Sequence, residues 1–102
     1  MCGIVGYVGK NDAKSVLVHG LRKLEYRGYD SCGIATISNQ HLNLFKTIHR
    51  IDTLDEEVNQ SEKANIGIGH TRWATHGGVS EKNAHPHVDN KNRFAVVHNG
   101  II

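Results

Sequence analysis

A chain of 102 residues makes one domain rather than two, and folding can bury about 60–70% of the surface it would expose unfolded. Hydrophobic residues make up 38% and charged residues 22%, with 11 Gly and 1 Pro, which excludes collagenous, low-complexity and disordered classes. Twelve basic and ten acidic side chains leave a net charge of +2 with no basic run, and no apolar stretch approaches a membrane span, so neither nucleic acid nor membrane is expected as a partner.

In chain order, Cys2–Gly9 is short, apolar and glycine-spaced, and reads as a buried strand approached closely by other backbone. Asn11 and Asp12 can cap a helix whose Ala13, Leu17, Leu21 and Leu24 recur at helical spacing, with Lys14, Arg22 and Lys23 on its polar side and Gly28 ending it. Tyr26–Ser31 carries turn chemistry. Cys32–Ser38 reads as a second strand, Asn39-Gln40 as a turn, and Leu42–Ile48 as a third strand with Leu42, Leu44 and Lys46 on one face. The acidic Ile51–Gln60 predicts a short helix and the glycine-rich Asn65–Thr71 a strand. Arg72–Val88 has no period and holds most of the polar chemistry, so it reads as a functional loop. Phe94–His98 predicts another buried strand, and Asn99-Gly100 a turn into further structure, so the chain reads as stopping inside a domain. Strands interleave with helices, which predicts a mixed α+β fold. Two cysteines make no disulfide scaffold, and Met1–Val8 lacks the basic region of a signal peptide, which together point to the cytoplasm.

Several residues carry chemistry. Methionine is trimmed ahead of a small second residue, which would leave Cys2 with a free α-amine. That amine has a reference pKa of about 7.7–8.0, so near neutral pH it can take the thiol proton and produce the attacking thiolate. Asn99 beside the Gly100 N–H can present two donors to one point, as a tetrahedral oxyanion requires; the same dipeptide is also a common turn. In the His70–Gly78 stretch, Arg72 offers a bidentate fork for a carboxylate, Trp73 can cover a small ligand, and Thr75 and His76 can hydrogen-bond it. Eight histidines invite a metal reading, but there is no HExxH or CxxC, and His85 and His87 stand two apart across a proline, so no metal site is expected. Arg27–Ser31 packs cation, aromatic, carboxylate and hydroxyl into one turn, which can brace a site or simply connect two elements.

Taken together, Cys2–Gly9 (CGIVGYVG), Leu24–Ser31 (LEYRGYDS), Gly69–Gly77 (GHTRWATHG), Asn83–His87 (NAHPH) and Val97–Ile102 (VHNGII) resemble one family. The start resembles the class II glutamine amidotransferases, which are N-terminal-nucleophile hydrolases; the other segments resemble the glutaminase domain of glutamine–fructose-6-phosphate aminotransferases (isomerizing). The resemblance implies that residues 1–102 form the N-terminal part of a four-layer αββα sandwich, without sugar-isomerase domains. It implies glutamine hydrolysis through a Cys2 thioester, with the ammonia passed to fructose 6-phosphate bound by the absent domains. By the same likeness Asn99 and Gly100 form the oxyanion hole, and Arg72, Trp73, Thr75, His76 and His85 hold glutamine. Arg27 supports the nucleophile region, no cofactor is needed, and the full-length enzyme is a homo-oligomer. The acidic residue expected to hold the glutamine α-amino group falls beyond Gly100, and Cys32 stands where the likeness suggests alanine. Two other readings are a non-catalytic fragment and a sister class II amidotransferase with another acceptor. The face of a sheet left open after Val97–His98 would make the isolated 102-residue chain poorly stable or self-associating.

Overall fold

The computed structural model describes residues 2–73 and 78–99. Asp12 caps the first helix as expected: its carboxylate accepts from the Lys14 N–H at 3.3 Å and from the distant Ala64 N–H at 3.2 Å. Helix α1 (Ala13–Lys23) follows, and its Ala13, Leu17 and Leu21 are fully buried. Arg22 and Lys23 occupy the last turn, where positive charge suits the helix dipole. A single 3-10 turn, Glu25–Arg27, then ends at Gly28 with φ 78°, a left-handed conformation that glycine adopts without a Cβ clash.

Lys14 departs from its expected place on the polar side. Its side chain is buried, and its Nζ donates to the Ser61 carbonyl at 2.6 Å and the Val58 carbonyl at 3.2 Å, with Asp12 Oδ2 at 3.8 Å. The ammonium satisfies carbonyls that leave the second helix, and periodicity cannot register such a long-range partner. Lys14→Met should strand the Ser61 carbonyl, while the Val58 carbonyl keeps the Ser61 N–H and hydroxyl, at a cost of about 1–3 kcal/mol. In the intact gene product this is expected to speed hydrogen exchange of the Asn59–Ala64 amides by tenfold or more; unchanged exchange would show that the tether contributes nothing.

Strands β1 (Gly3–Val8), β2 (Ser31–Ser38), β3 (His41–Thr47) and β4 (Ile66–Arg72) form one antiparallel sheet in the order β1-β4-β2-β3, with helix α2 (Ile51–Val58) between β3 and β4. The protein is thus α+β with an antiparallel sheet. Asn39 and Gln40, at φ 51° and 66°, make the tight β2–β3 turn between the paired Ser38 and His41. The register sorts the two sheet faces. Val5, Gly69, Ile34 and Phe45 share one row, and α1 and α2 pack over that face with Leu17, Leu21, Ile51, Leu54 and Val58. Each large aliphatic side chain buried there contributes about 1.5–3 kcal/mol. Arg22 of α1 reaches Asp52 and Asp55 of α2 at the solvent edge.

The opposite face carries Ile4, Val8, Ile37, Leu44 and Ile66, all more than a third exposed. β1 is therefore half-buried rather than buried, because it lies at the sheet edge with helix on one side only. Leu42, Leu44 and Lys46 share this face, as their alternation predicts. The chain returns across it: a Cβ at Gly33 would strike the His85 carbonyl and lie 2.8 Å from that of Phe45, so close backbone approach occurs here in β2, whereas the glycines of Cys2–Gly9, where the sequence predicts it, meet the side chains of Leu24, Thr71 and Tyr7 or open space. A small second sheet pairs β5 (His87–Val88) with β6 (Ala95–Val96).

The expected buried strand over Phe94–His98 is thus reduced to two residues, with Phe94 68% and Val96 59% exposed. Asp89 Oδ1 takes the Arg93 and Phe94 N–H groups at 2.6 and 2.9 Å, which closes a tight turn and keeps those donors out of a ladder. Phe94 borders an open cavity of about 250 Å³ over Ile37, Leu42, Ile66 and Ile68. Met1, Thr75, His76 and Gly100–Ile102, on which several expectations fall, lie outside the described residues.

Candidate functional site

The β1–β4 register sets the site. Gly3 pairs with Thr71, so Cys2, one residue before the ladder, faces the end of β4. The Trp73 backbone N–H donates to Cys2 Sγ at 3.4 Å, and the Trp73 carbonyl oxygen lies 3.9 Å from the same sulfur. Asn99 arrives from the far end of the chain, 97 residues away, and its Nδ2 donates to the Cys2 carbonyl at 3.3 Å. Three of the residues singled out in the sequence, Cys2, Trp73 and Asn99, are therefore in direct contact.

Arg72, immediately before Trp73, is almost fully buried. Its Nη1 donates to the Gly78 carbonyl at 3.1 Å, and Asn83 Nδ2 donates to the same oxygen at 2.9 Å. The Arg72 carbonyl accepts the Asp30 N–H at 2.7 Å. Trp73 is 51% exposed, and its ring lies 3.5 Å from the position a Cβ would take on Gly28. The Arg27–Ser31 turn therefore does more than connect two elements: it lies against the residues that follow β4. The side chain of Arg27 is itself exposed.

His85 lies against His70 of β4. Its ring stacks on His70 with centroids 4.3 Å apart and meets His87 in a tilted arrangement at 4.4 Å and 54°, and its Nδ1 accepts the His98 N–H at 3.3 Å. Burial first, then the neighbouring His70 and His87, push the His85 imidazole down to about 4, so the ring is neutral at physiological pH. Burial likewise lowers His70 and His87. Stacked rings present faces rather than converging nitrogens, and among the described residues no group of three or more His, Cys, Asp or Glu is placed to hold a metal ion.

The second cysteine behaves differently from the first. Cys32 is fully buried beneath the helices, and burial pushes its thiol up to about 12, so it remains protonated and inert. Cys2 is only partly covered. Sequence reasoning did not place His70 in the site, although it is fully buried and its Nε2 lies 2.7 Å from Asn99 Oδ1. The available signal was an imidazole directly after the alternating glycines and isoleucines of Ile66–Gly69, opposite Ile4 and Gly33 in the register.

The fold and site define an α+β domain that brings a cysteine at the start of its first strand against an asparagine from the last described segment. Comparison with known proteins makes this more particular. No family model matches the chain. Over all 102 residues it is 59% identical to the glutamine–fructose-6-phosphate aminotransferase (isomerizing) of Halalkalibacterium halodurans and 58% identical to that of Bacillus subtilis. It is 56% identical to the same-named protein of Cyanidium caldarium, over 106 aligned residues. The chain is a homologue of these aminotransferases along its whole length, and it spans 17% of theirs, at the N-terminal end. Among the described residues no helix is long and apolar enough to cross a membrane.

Proposed function

We propose that this chain carries the glutamine-cleaving centre of a glutamine–fructose-6-phosphate aminotransferase. The observation that carries the reading is the meeting of Cys2 with Trp73 and Asn99 from opposite ends of the chain. With Met1 removed, the α-amine of Cys2 takes the thiol proton, and the thiolate attacks the side-chain amide carbon of glutamine. The Trp73 N–H already donates to the sulfur. The carbonyl oxygen becomes an oxyanion, met by Asn99 Nδ2 and the Gly100 N–H. Nδ2 has two hydrogens; one serves the Cys2 carbonyl and the other is left for the oxyanion.

Collapse of this intermediate returns a proton to the leaving nitrogen, releases ammonia and leaves a thioester, which water hydrolyses to glutamate. Arg72 clamps the glutamine α-carboxylate, Trp73, Thr75 and His76 close over it, His85 backs the pocket, and Arg27 steadies the turn beside Trp73. On this reading residues 1–102 are part of a larger glutaminase domain and need no cofactor. Fructose 6-phosphate, bound elsewhere in a cytoplasmic homo-oligomer, receives the ammonia and becomes glucosamine 6-phosphate.

An electrophilic glutamine analogue tests the reading on the intact gene product. One equivalent is expected to add to Cys2 and none to Cys32, and excess glutamine should protect. Addition at Cys32, or labelling that glutamine leaves unchanged, would refute the assignment. Adding fructose 6-phosphate with glutamine should yield glucosamine 6-phosphate; glutamate without that product would mark an enzyme with another acceptor.

A further inference from the structure

The geometry points to His70 as a positioning residue that locks the amide of Asn99 in its donor-forward orientation toward the nucleophile. The inference rests on the glutaminase reading above and adds to it a residue outside the set just assigned.

Hydrogen-bond chemistry fixes the direction of every proton in the chain of contacts. The Cys2 carbonyl can only accept, so the Asn99 atom 3.3 Å from it must be the NH₂ group. That leaves Oδ1 facing His70 Nε2 at 2.7 Å, and an amide oxygen can also only accept. His70 must therefore carry a proton on Nε2. Its Nδ1 is buried and has no hydrogen-bond partner among the described residues. Burial also lowers the pKa of this ring, which keeps it neutral, with its single proton on Nε2.

His70 itself has little freedom. It lies in the middle of the sheet on β4, between Ile4 of β1 and Gly33 of β2, and is fully buried. The His85 ring stacks on it at an interplanar angle of 25°. His85 is held in turn by the His98 N–H on its Nδ1, which ties the stack to the residue just before Asn99. Asn99, by contrast, is exposed, and an exposed asparagine samples several rotamers and both amide flips. A flipped amide would aim its oxygen at the Cys2 carbonyl and at any oxyanion formed beside the sulfur. The imidazole forbids the flip because its Nε2–H would then oppose an N–H. A buried strand thus sets the direction of a donor that sits on an exposed segment.

The pair of variants His70→Gln and His70→Asn separates this role from simple packing. Gln can place an amide N–H near the position of Nε2, whereas Asn falls short of it. In the intact gene product, His70→Asn is expected to lower kcat for glutamate release by about 10–100-fold. His70→Gln should stay within about fivefold of wild type, and the glutamine KM should move less than about threefold in either. Equal losses in both variants, no loss in Asn, or a larger loss in Gln would overturn the role. Nitrogen-15 NMR of the wild-type histidines provides a measurement that needs no folded variant. His70 should be the Nε2–H tautomer, and an Nδ1–H tautomer would overturn the proposal. A wild-type protein that releases no glutamate would instead refute the glutaminase reading, and the positioning role of His70 with it.

Discussion

Cys2→Ala in the intact gene product is expected to abolish glutamate release from glutamine, a loss on the order of 10⁴-fold or more. The reasoning separates chemistry from structure. The substitution removes the sulfur and the hydrogen bond from the Trp73 N–H, but keeps the Cys2 backbone carbonyl to which Asn99 donates. The six paired residues of β1 begin only at Gly3, so the ladder is untouched. Glutamine should still bind, because Arg72 is held independently by Gly78 and its neighbours. Steady-state glutamate assays with glutamine titration check this, and release within tenfold of wild type would place the nucleophile elsewhere.

Asn99→Ala should lower kcat by on the order of 10²–10³ with little change in glutamine KM, since an oxyanion donor acts only when the charge forms. Asn99→Asp should lose at least as much. It is close in shape, but its carboxylate has no hydrogen to give and sets negative charge beside the developing oxyanion. A loss below tenfold in Asn99→Ala would assign the asparagine to the turn alone. If His70 orients Asn99, combining Asn99→Ala with His70→Asn should cost scarcely more than Asn99→Ala by itself.

Local signals in the sequence were legible where the cause was local. The Asp12 cap, the Ala13–Leu17–Leu21 stripe and the Asn39-Gln40 turn each depend on neighbours within a few residues, and the structure has them. The full-length likeness to the aminotransferases accords with the motifs read in Cys2–Gly9, Gly69–Gly77 and Val97–Ile102. Features made by distant partners were not legible. Lys14 reads as a surface lysine until Val58 and Ser61 offer their carbonyls. Phe94–His98 reads as a buried strand until Asp89 takes its first amide. His70 reads as one histidine among eight until the register places it under Asn99. The strand order β1-β4-β2-β3 itself depends on non-local pairing that no periodicity encodes.

The Asn99–Cys2 contact joins residues separated by 97 positions, nearly the whole length of the chain. A ribosome makes the nucleophile first and its partner 97 residues afterwards, roughly 5–20 s later at ordinary synthesis rates. Between those moments the thiol exists without the amide donor, and β1 exists without β4, which starts at Ile66. A nascent chain therefore carries a cysteine that cannot yet stabilise an oxyanion. On this reading the capacity to cleave glutamine would switch on late, when the last of these segments closes back onto the first.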